Sequence, residues 1–548
     1  MNSIDSATQT RISFLHSLIL LIFAFLFFGA VSVYLGQDAN WDLKNYHYYN
    51  AYSFLNGRLG FDYGPAQLQN YLNPILDLPF YIFVKYLPPV WVGFLLGGIH
   101  GMNFWLLFEI SHQVFLSMKT MGRIGLSFAC AAVGMYGPGA FSLLGTTTND
   151  LFASIFVLGS LLILVRGLVS HRGQNGAVPA SSILYAGVLL GIGIGLKLTL
   201  VIYGIGLALS LLVIKTNWII RLKQLVIWGI SLSVGIIGSS GYWMLQLWEN
   251  FGSPLFPFYN KILQSPYFEC VNIAGITYLP KNLWEKLFYP FYFIKFHNTV
   301  MEFPFRDIRW AVLYLLLISA AVMMLWRRFG RRVRRKTDRL LPVPPDSKNV
   351  FGFLITFFLV SYILWQEIFA YYRYIIPLEL LGPILIGVLL SFTIFSEKKR
   401  IFLQFILFMA IVFAVRSPNW VRLPWSHSFF GVKVPALEEA TNPIVVMVGY
   451  EPTAYVIPFF PEQVRFVRVV SNFTNPTCKN KMQAEMQELL RVHRGPLYLL
   501  TRRINLKNDA LMLAPIEIHV KTEECSTIPS RLDNDLMICR IEKNSAQQ

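Results

Sequence analysis

Charge is scarce in this chain. Asp, Glu, Lys and Arg together make up 14% of its 548 residues, and acids are the rarer, 30 against 47 Lys and Arg. Soluble domains carry about 25% charged residues, so an ordinary soluble domain is excluded. Cysteine is scarce as well. Five in this length do not make a disulfide-knit scaffold. Repeats are absent, and low complexity is confined to the last few residues. There is no Gly-rich phosphate loop between a strand and a helix, and no nucleophile elbow. That argues against a soluble nucleotide-sugar donor. Metal-ligand spacing is missing too. His100 and His112 stand twelve apart in one apolar segment and face different directions, and no metal site is assigned.

What is abundant is apolar residues, 55% of the chain. A helical span needs about 20 of them in a row. About eleven such segments can be read, at 12–35, 90–111, 124–144, 149–166, 182–196, 198–214, 224–244, 309–326, 350–368, 374–395 and 401–416. The first is too long for a cleaved signal and is read as an uncleaved span. The pair around Lys197 has one long kinked segment as its alternative. The fold class expected is a polytopic α-helical membrane protein.

The net charge of +17 invites a nucleic-acid partner, but its placement argues otherwise. Much of it lies in short loops, above all RRFGRRVRRKTDR at 327–339. With the N-terminus in the cytoplasm, every basic cluster falls on one side: Lys119 and Arg123, Arg166 and Arg172, Lys215 to Lys223, 327–339, and Lys398 to Arg400. That is the positive-inside pattern. Nucleic acid is set aside, and membrane lipids are the expected surroundings.

The opposite side receives the first loop, 37–89, the turn before Leu151, the long loop 245–308, QEIFAYYR, and residues 417–548. The 245–308 loop is aromatic and rich in Pro, as short interfacial helices would be. Past residue 416, β-type runs at 444–449, 464–470, 496–500 and 536–542 surround a helical stretch at 479–493. Alternating signals of this kind predict a small periplasmic α/β domain over 417–548, after a membrane domain over 1–416. Cys478, Cys525 and Cys539 fall in that region. If it is periplasmic, two of them can pair, and Cys525 with Cys539 is the first pairing expected.

The first loop carries Asp38 and Asp42 among many Tyr residues. Read as a helix over 41–56, it places Trp41, Tyr48, Tyr52 and Leu55 on one face, with Asp42, Asn45, Tyr46 and Tyr49 on a polar face beside it. Gly57 is the expected stop. Such a helix suits the membrane interface and would hold Asp42 near headgroup level. A carboxylate there can act as base toward a hydroxyl in sugar transfer. His47 is read as an aid to Asp42, or as its partner on a divalent cation. The plainer reading makes both acids solvated. Asp150 follows Thr-Thr-Thr-Asn, where a first-turn acid is favoured by the helix dipole in any case. Lys197 in an apolar Gly-rich run, and Arg373 in YYRYIIPLE at the mouth of a span, are costly charges unless interfacial or paired. Snorkelling accounts for them equally simply. The functional reading makes them phosphate-binding cations.

Taken in order, these residues resemble the GT-C superfamily of polytopic glycosyltransferases, and within it the polyprenol-phosphate-mannose-dependent bacterial family. Four features carry the likeness: an acid, aromatics and a Gly turn across 42–57; Asp150 in TTND; WENFGSPLFPFYN at 248–260; and Arg373-Tyr-Ile-Ile-Pro377 entering a late span. They cover residues 1–416. The resemblance implies transfer of one sugar from a polyprenyl-phosphate carrier to a glycan, lipid or protein hydroxyl at the periplasmic face of the inner membrane. It implies a first-loop Asp as base, assisted by Asp150, with Lys197 and Arg373 on the phosphate. Tyr46, His47, Tyr49 and Tyr374 complete the expected substrate-binding set. The chain lacks the acidic pair common in the superfamily's first loop, so the base stays open between Asp42 and Asp38. A transporter of lipid-linked saccharides and a non-catalytic membrane scaffold are the rival readings.

Overall fold

A backbone amide in hydrocarbon has no water to bond, so apolar runs of this length fold as helices. The computed structural model describes residues 2–170, 177–269, 271–273, 275, 277–329, 347–393, 396–437, 442–477 and 479–543. Among the described residues, seven helices are long and apolar enough to cross a membrane: Phe14–Leu35, Pro89–Val114, Asp150–Ser170, Trp218–Phe251, Arg309–Trp326, Asn349–Ile368 and Tyr372–Leu390. Thr120–Met135, Ala180–Leu196 and Leu198–Leu212 are shorter apolar helices. Glu397–Ala414 adds an eighteen-residue helix that starts with a charged turn. Each expected span therefore coincides with a helix except 124–144, where the helix ends at Met135 and a separate short one, Pro138–Ser142, follows. The basic run at 327–339 lies largely outside the described residues.

The chain forms two compact units. One comprises Met1–Tyr34, Phe94–Ser239 and Gly275–Trp420; the other comprises Leu35–Gly93, Ser240–Ala274 and Val421–Gln548. In the first, Tyr372–Leu390 is the central helix, with 94% of its span buried against 22% for Phe14–Leu35. Helices Arg309–Phe329, Thr120–Met135, Asp150–Ser170 and Glu397–Ala414 pack around it. Elsewhere in this unit, Gly191 and Gly235 meet backbone to backbone with no room for a Cβ on either. Such small-residue crossings let helices approach closely where no hydrophobic drive separates lipid from protein.

The second unit holds a five-stranded sheet: β1 (Ile444–Val448), β2 (Arg465–Val470), β3 (Leu497–Arg502), β4 (Ile518–Thr527) and β5 (Leu536–Lys543). The spatial order is β2-β1-β3-β5-β4. β1 runs parallel to β2 and β3, with Val446 opposite Val467 and Leu499, while β5 is antiparallel to both its neighbours. β1 is buried along its whole length, as a central strand covered on both faces must be. Helix Lys481–Val492 starts at Asn480, whose side chain accepts the Gln483 amide at 2.9 Å. It lays Met482, Met486 and Leu490 on the sheet, four residues apart. β4 has no counterpart among the expected runs. Its sequence, IHVKTEECST, is polar because it is an edge strand with most side chains exposed. Cys525 stands directly opposite Cys539 across β4 and β5, and the two form a disulfide. Cys478 lies outside the described residues.

The first loop belongs to this second unit. Its expected single helix is two turns of different kind, a π-turn Leu43–His47 and an α-helix Tyr49–Leu55. Gly57 ends it at φ 60°, as expected of a stop. Tyr48, Tyr49 and Tyr52 are buried, and the Tyr48 ring lies 4.4 Å from Phe430. Of the expected apolar face, Tyr48 and Tyr52 are buried, Tyr48 against protein aromatics, while Trp41 and Leu55 are exposed. Periodicity reports which side chains share a face and not what covers that face. The 245–308 loop holds short helices, Asn260–Leu263 and Leu283–Tyr292, as its sequence suggested.

Two predictions follow from the sheet domain. Proteolysis without reductant, followed by mass mapping, should recover a linked Cys525–Cys539 peptide that separates on reduction. The second concerns Asp509, which is 5% exposed on helix Leu506–Leu513. Burial pushes its carboxyl up from 3.8 to about 6, against the pull of the Thr501 hydroxyl and the Arg468 guanidinium. The folded state therefore binds more protons than the unfolded chain across that window, and Asp509 makes stability fall as pH rises through it. Asp509→Asn should remove this component, so the melting-temperature difference between variant and wild type should widen in the variant's favour from pH 4 to pH 7.

Candidate functional site

Three sequence-distant groups meet in the membrane unit. Asp150 is the first residue of helix Asp150–Ser170. Lys197 sits where the chain breaks between two half-helices, at φ −142° and ψ 99°. Its amide closes the preceding helix on Gly193, and its carbonyl accepts the Leu200 amide that opens a 3₁₀ turn. The pair around Lys197 is thus two segments and not one kinked helix. From that break, Lys197 Nζ reaches Asp150 Oδ1 at 2.5 Å. Arg373 comes from the 3₁₀ turn Tyr372–Ile375 that leads into helix Ile376–Leu390. Its Nε lies 3.9 Å from Asp150 Oδ2, and Nη2 lies 4.0 Å from Glu302 Oε1. These are ion-pair separations rather than hydrogen bonds. One buried carboxylate thus stands between an ammonium and a guanidinium.

Aromatic rings frame the cations. The Arg373 guanidinium lies over Tyr371 at 5.1 Å and over Trp420 at 5.2 Å, and Lys197 lies 5.6 Å from the Tyr374 ring centre. Cations over such faces are held by the ring quadrupole. Tyr371 also bonds Glu302 through its hydroxyl and stacks on Tyr278 at 5.3 Å. Tyr203 fixes the Tyr374 carbonyl at 2.6 Å. The side chains of Lys197 and Arg373 stay 19% and 11% exposed, while Asp150 is at 4%. Glu302, beside Arg373, is more exposed than either cation, at 43%, so the accessible part of the cluster carries two cations and a carboxylate among aromatic rings. An anionic group received there would compete with Glu302 and Asp150 for the cations.

A second polar network lies directly behind Arg373, and sequence reading missed it. Tyr372 is fully buried. Its hydroxyl donates to Asp307 at 3.0 Å and accepts from the Trp310 indole at 3.0 Å. Arg309, also fully buried, pairs with Asp307 at 3.1 Å and donates to the Glu379 carbonyl at 2.6 Å. The Glu379 carboxylate takes the amides of Gly139 and Ala140 at 3.2 and 3.0 Å, and it fills the space a Cβ at Gly137 would need. The available signal was the cost of Asp307, Arg309 and Glu379 near apolar runs.

The other expected residues lie in the second unit. Asp38 is buried and accepts the Asn40 amide and side chain at 3.1 and 3.0 Å. Asp42 is half-buried ahead of the π-turn, and Tyr46 is half-buried with its ring 4.0 Å from His47. His47 is buried with Nδ1 2.6 Å from Asp77 Oδ1. Tyr49 is buried too and donates to Asp62 at 2.8 Å. Asp62 also takes Arg58 through Nε at 2.6 Å and Nη2 at 2.8 Å, and the Phe466 amide at 2.8 Å. Burial pushes the Asp62 carboxyl up, and Arg58 pulls it back. Among the described residues, no group of three or more His, Cys, Asp or Glu is placed to hold a metal ion.

The chain is a polytopic helical membrane protein with a C-terminal mixed β-sheet domain, and the disulfide in that domain fits an extracytoplasmic location. No protein-family model matches it, and neither a curated protein nor a solved structure is similar to it.

Removing one partner of a buried pair costs about 3–5 kcal/mol because the other charge is left uncompensated. Asp150→Ala should therefore lower the melting temperature of the detergent-solubilised protein markedly. Lys197→Met on top of it should restore part of the loss. Coupling of about 1–3 kcal/mol in the double-mutant cycle is the expected signature of direct contact.

Proposed function

We propose that this chain is a glycosyltransferase of GT-C type. It moves one sugar from a polyprenyl-phosphate carrier to a hydroxyl of a glycan, lipid or protein at the periplasmic face of a bacterial inner membrane. The observation that carries the reading is the convergence of Lys197 and Arg373 on Asp150 among aromatic rings. A lipid-phosphate donor leaves as an anion, and two cations at its phosphate stabilise that leaving group. An arginine fork suits two phosphate oxygens, while lysine acts as a point charge. In the reaction, the acceptor oxygen bonds to the anomeric carbon as the bond from that carbon to the phosphate oxygen breaks. The bonding pair stays with the phosphate, and the acceptor proton passes to a carboxylate. Asp150, already between two cations, serves to align them. The resemblance supplies the candidate base, Asp42, with Asp38 as its alternative. Basic loops on one side support a cytoplasmic N-terminus.

The break at Lys197 is a feature that transporters of lipid-linked saccharides also use. The two readings part on one point: a transporter delivers its cargo intact, and a transferase makes a new glycosidic bond. A scaffold would tolerate substitution of either cation.

The test is transfer of radiolabelled sugar from a panel of polyprenyl-phosphate sugars by membranes holding each variant at matched expression. Lys197→Ala and Arg373→Ala should each lower kcat/KM for the donor by about 30-fold or more, the scale of losing a charge-assisted contact. Arg373→Lys should recover part of it. Asp42→Asn should abolish transfer without weakening donor binding. Equal transfer by wild type and both cation variants would sink the reading, and equal transfer by Asp42→Asn would move the base to Asp38.

A further inference from the structure

Helix Leu283–Tyr292 carries two apolar faces, and protein covers one of them. The buried face holds Tyr289 and Pro290, with Phe293 just past the helix end. The Tyr289 ring lies 6.0 Å from Trp365, and the Phe293 ring lies 6.0 Å from Trp310 and 5.7 Å from Tyr372. Pro290 has no amide hydrogen to give the carbonyl four residues back. That carbonyl, of Lys286, takes the Gln366 side chain at 2.9 Å instead, and the Lys286 ammonium pairs with Glu367 at 2.5 Å. The helix is thus fastened to the last turn of span Asn349–Ile368. Through Phe293 on Trp310 and Phe291 on Tyr314, it is also tied to the first turns of span Arg309–Trp326. Tyr289 donates to the Tyr278 carbonyl, and Tyr278 stacks on Tyr371, so the same helix backs the turn that carries Arg373.

The opposite face is bare. Leu283, Trp284, Leu287 and Phe288 are exposed, Trp284 by 72%, and Phe291 is half-buried. Positions 284, 287, 288 and 291 recur at helical spacing and make one stripe along the helix. The Trp284 and Phe288 rings lie 6.3 Å apart, and those of Phe288 and Phe291 lie 6.1 Å apart. Aromatic side chains exposed together in this way mark a surface that something apolar covers. The level of the helix identifies the cover. The two spans to which it is fastened have 18 and 20 residues. At about 1.5 Å per residue they run roughly 27 and 30 Å, the thickness of a bilayer's hydrocarbon. Their shared end is therefore the hydrocarbon boundary, and the helix packs on residues at that end. Away from it, Leu315, Ile318 and Val322 on one span and Leu359 and Ile363 on the other are exposed, so the bare stripe continues the lipid-facing surface of the spans. We propose that helix Leu283–Tyr292 lies flat in the interfacial layer of the bilayer, with Trp284, Leu287, Phe288 and Phe291 in lipid. The inference uses no donor and no reaction, so it stands or falls apart from the transferase reading.

The experiment reads the fluorescence of Trp284, taken as the difference between the full-length protein and Trp284→Phe, both in lipid nanodiscs. Phosphatidylcholine brominated near the glycerol end of its chains should quench this emission several-fold more than phosphatidylcholine brominated near the chain ends. Aqueous iodide should quench it several-fold less than it quenches free tryptophan. Emission quenched by iodide and untouched by either bromolipid would overturn the proposal by placing the helix in water. Emission shielded from both would overturn it by placing a protein partner or a second copy on the stripe. Stronger quenching by the deep probe would overturn it by placing the helix inside the hydrocarbon. Leu287→Glu combined with Phe288→Glu should shift Trp284 from bromolipid quenching toward iodide quenching, and an unchanged response would also overturn the lipid contact. Should that variant fail to fold, the difference between wild type and Trp284→Phe still decides.

Discussion

A charge placed in the apolar part of this chain is stable only beside its opposite, and most of the functional geometry follows from that constraint. The desolvation cost of an isolated ion in a low-dielectric setting far exceeds any packing gain. In the membrane unit the buried charges therefore occur as sets: Lys197 and Arg373 on Asp150, and Arg309 on Asp307 beside Glu379. In the second unit the same rule gives Arg58 on Asp62. The two sets in the membrane unit differ in access. The inner one is fully buried and satisfied by backbone groups as well as side chains. The outer one keeps part of its cations exposed. The inner set is closed to solvent, and the outer set is partly open to it.

Sequence made the spans legible because the bilayer imposes a length and a composition that no other setting does. It made β1, β2, β3 and β5 legible for a related reason, since each is a short apolar run. β4 escaped because an edge strand needs no apolar pattern. The pairing of Cys525 with Cys539 was reachable because both fall near strand-forming sequence in one small domain, although the β4 register that aligns them could not be seen.

The site was legible only in part. Asp150, Lys197 and Arg373 were each identifiable as costly charges, and the structure brings them together. Their order in the chain gave no distance between them. Tyr49 and His47 show the opposite outcome: the polar face was seen, but its partners, Asp62 and Asp77, lie 13 and 30 residues on and carry no local signature. The ties from Arg58 to the Glu462 and Val464 carbonyls are longer still in sequence and reach the sheet domain. That is why the first loop folds with residues just over 400 positions away, which periodicity within the loop has no means of revealing.

Tyr372 and Arg373 show how the inner set serves the outer one. They are neighbours in one 3₁₀ turn, and their side chains go to different networks. Tyr372 is fixed by Asp307, Trp310 and the Val300 carbonyl, which accepts its amide at 2.8 Å. With one residue of the turn held at both backbone and hydroxyl, the next has little freedom in where its guanidinium is launched. A long, flexible arginine thus starts from a rigid base, and the rings of Tyr371 and Trp420 limit its remaining rotamers. Much of the entropy of placing a cation is lost on folding rather than on binding. Lys197 reaches the same end by another route, a helix break that directs its side chain from between two half-helices. Two unrelated backbone devices converging on one carboxylate are hard to account for by snorkelling, which asks only that a charge reach water.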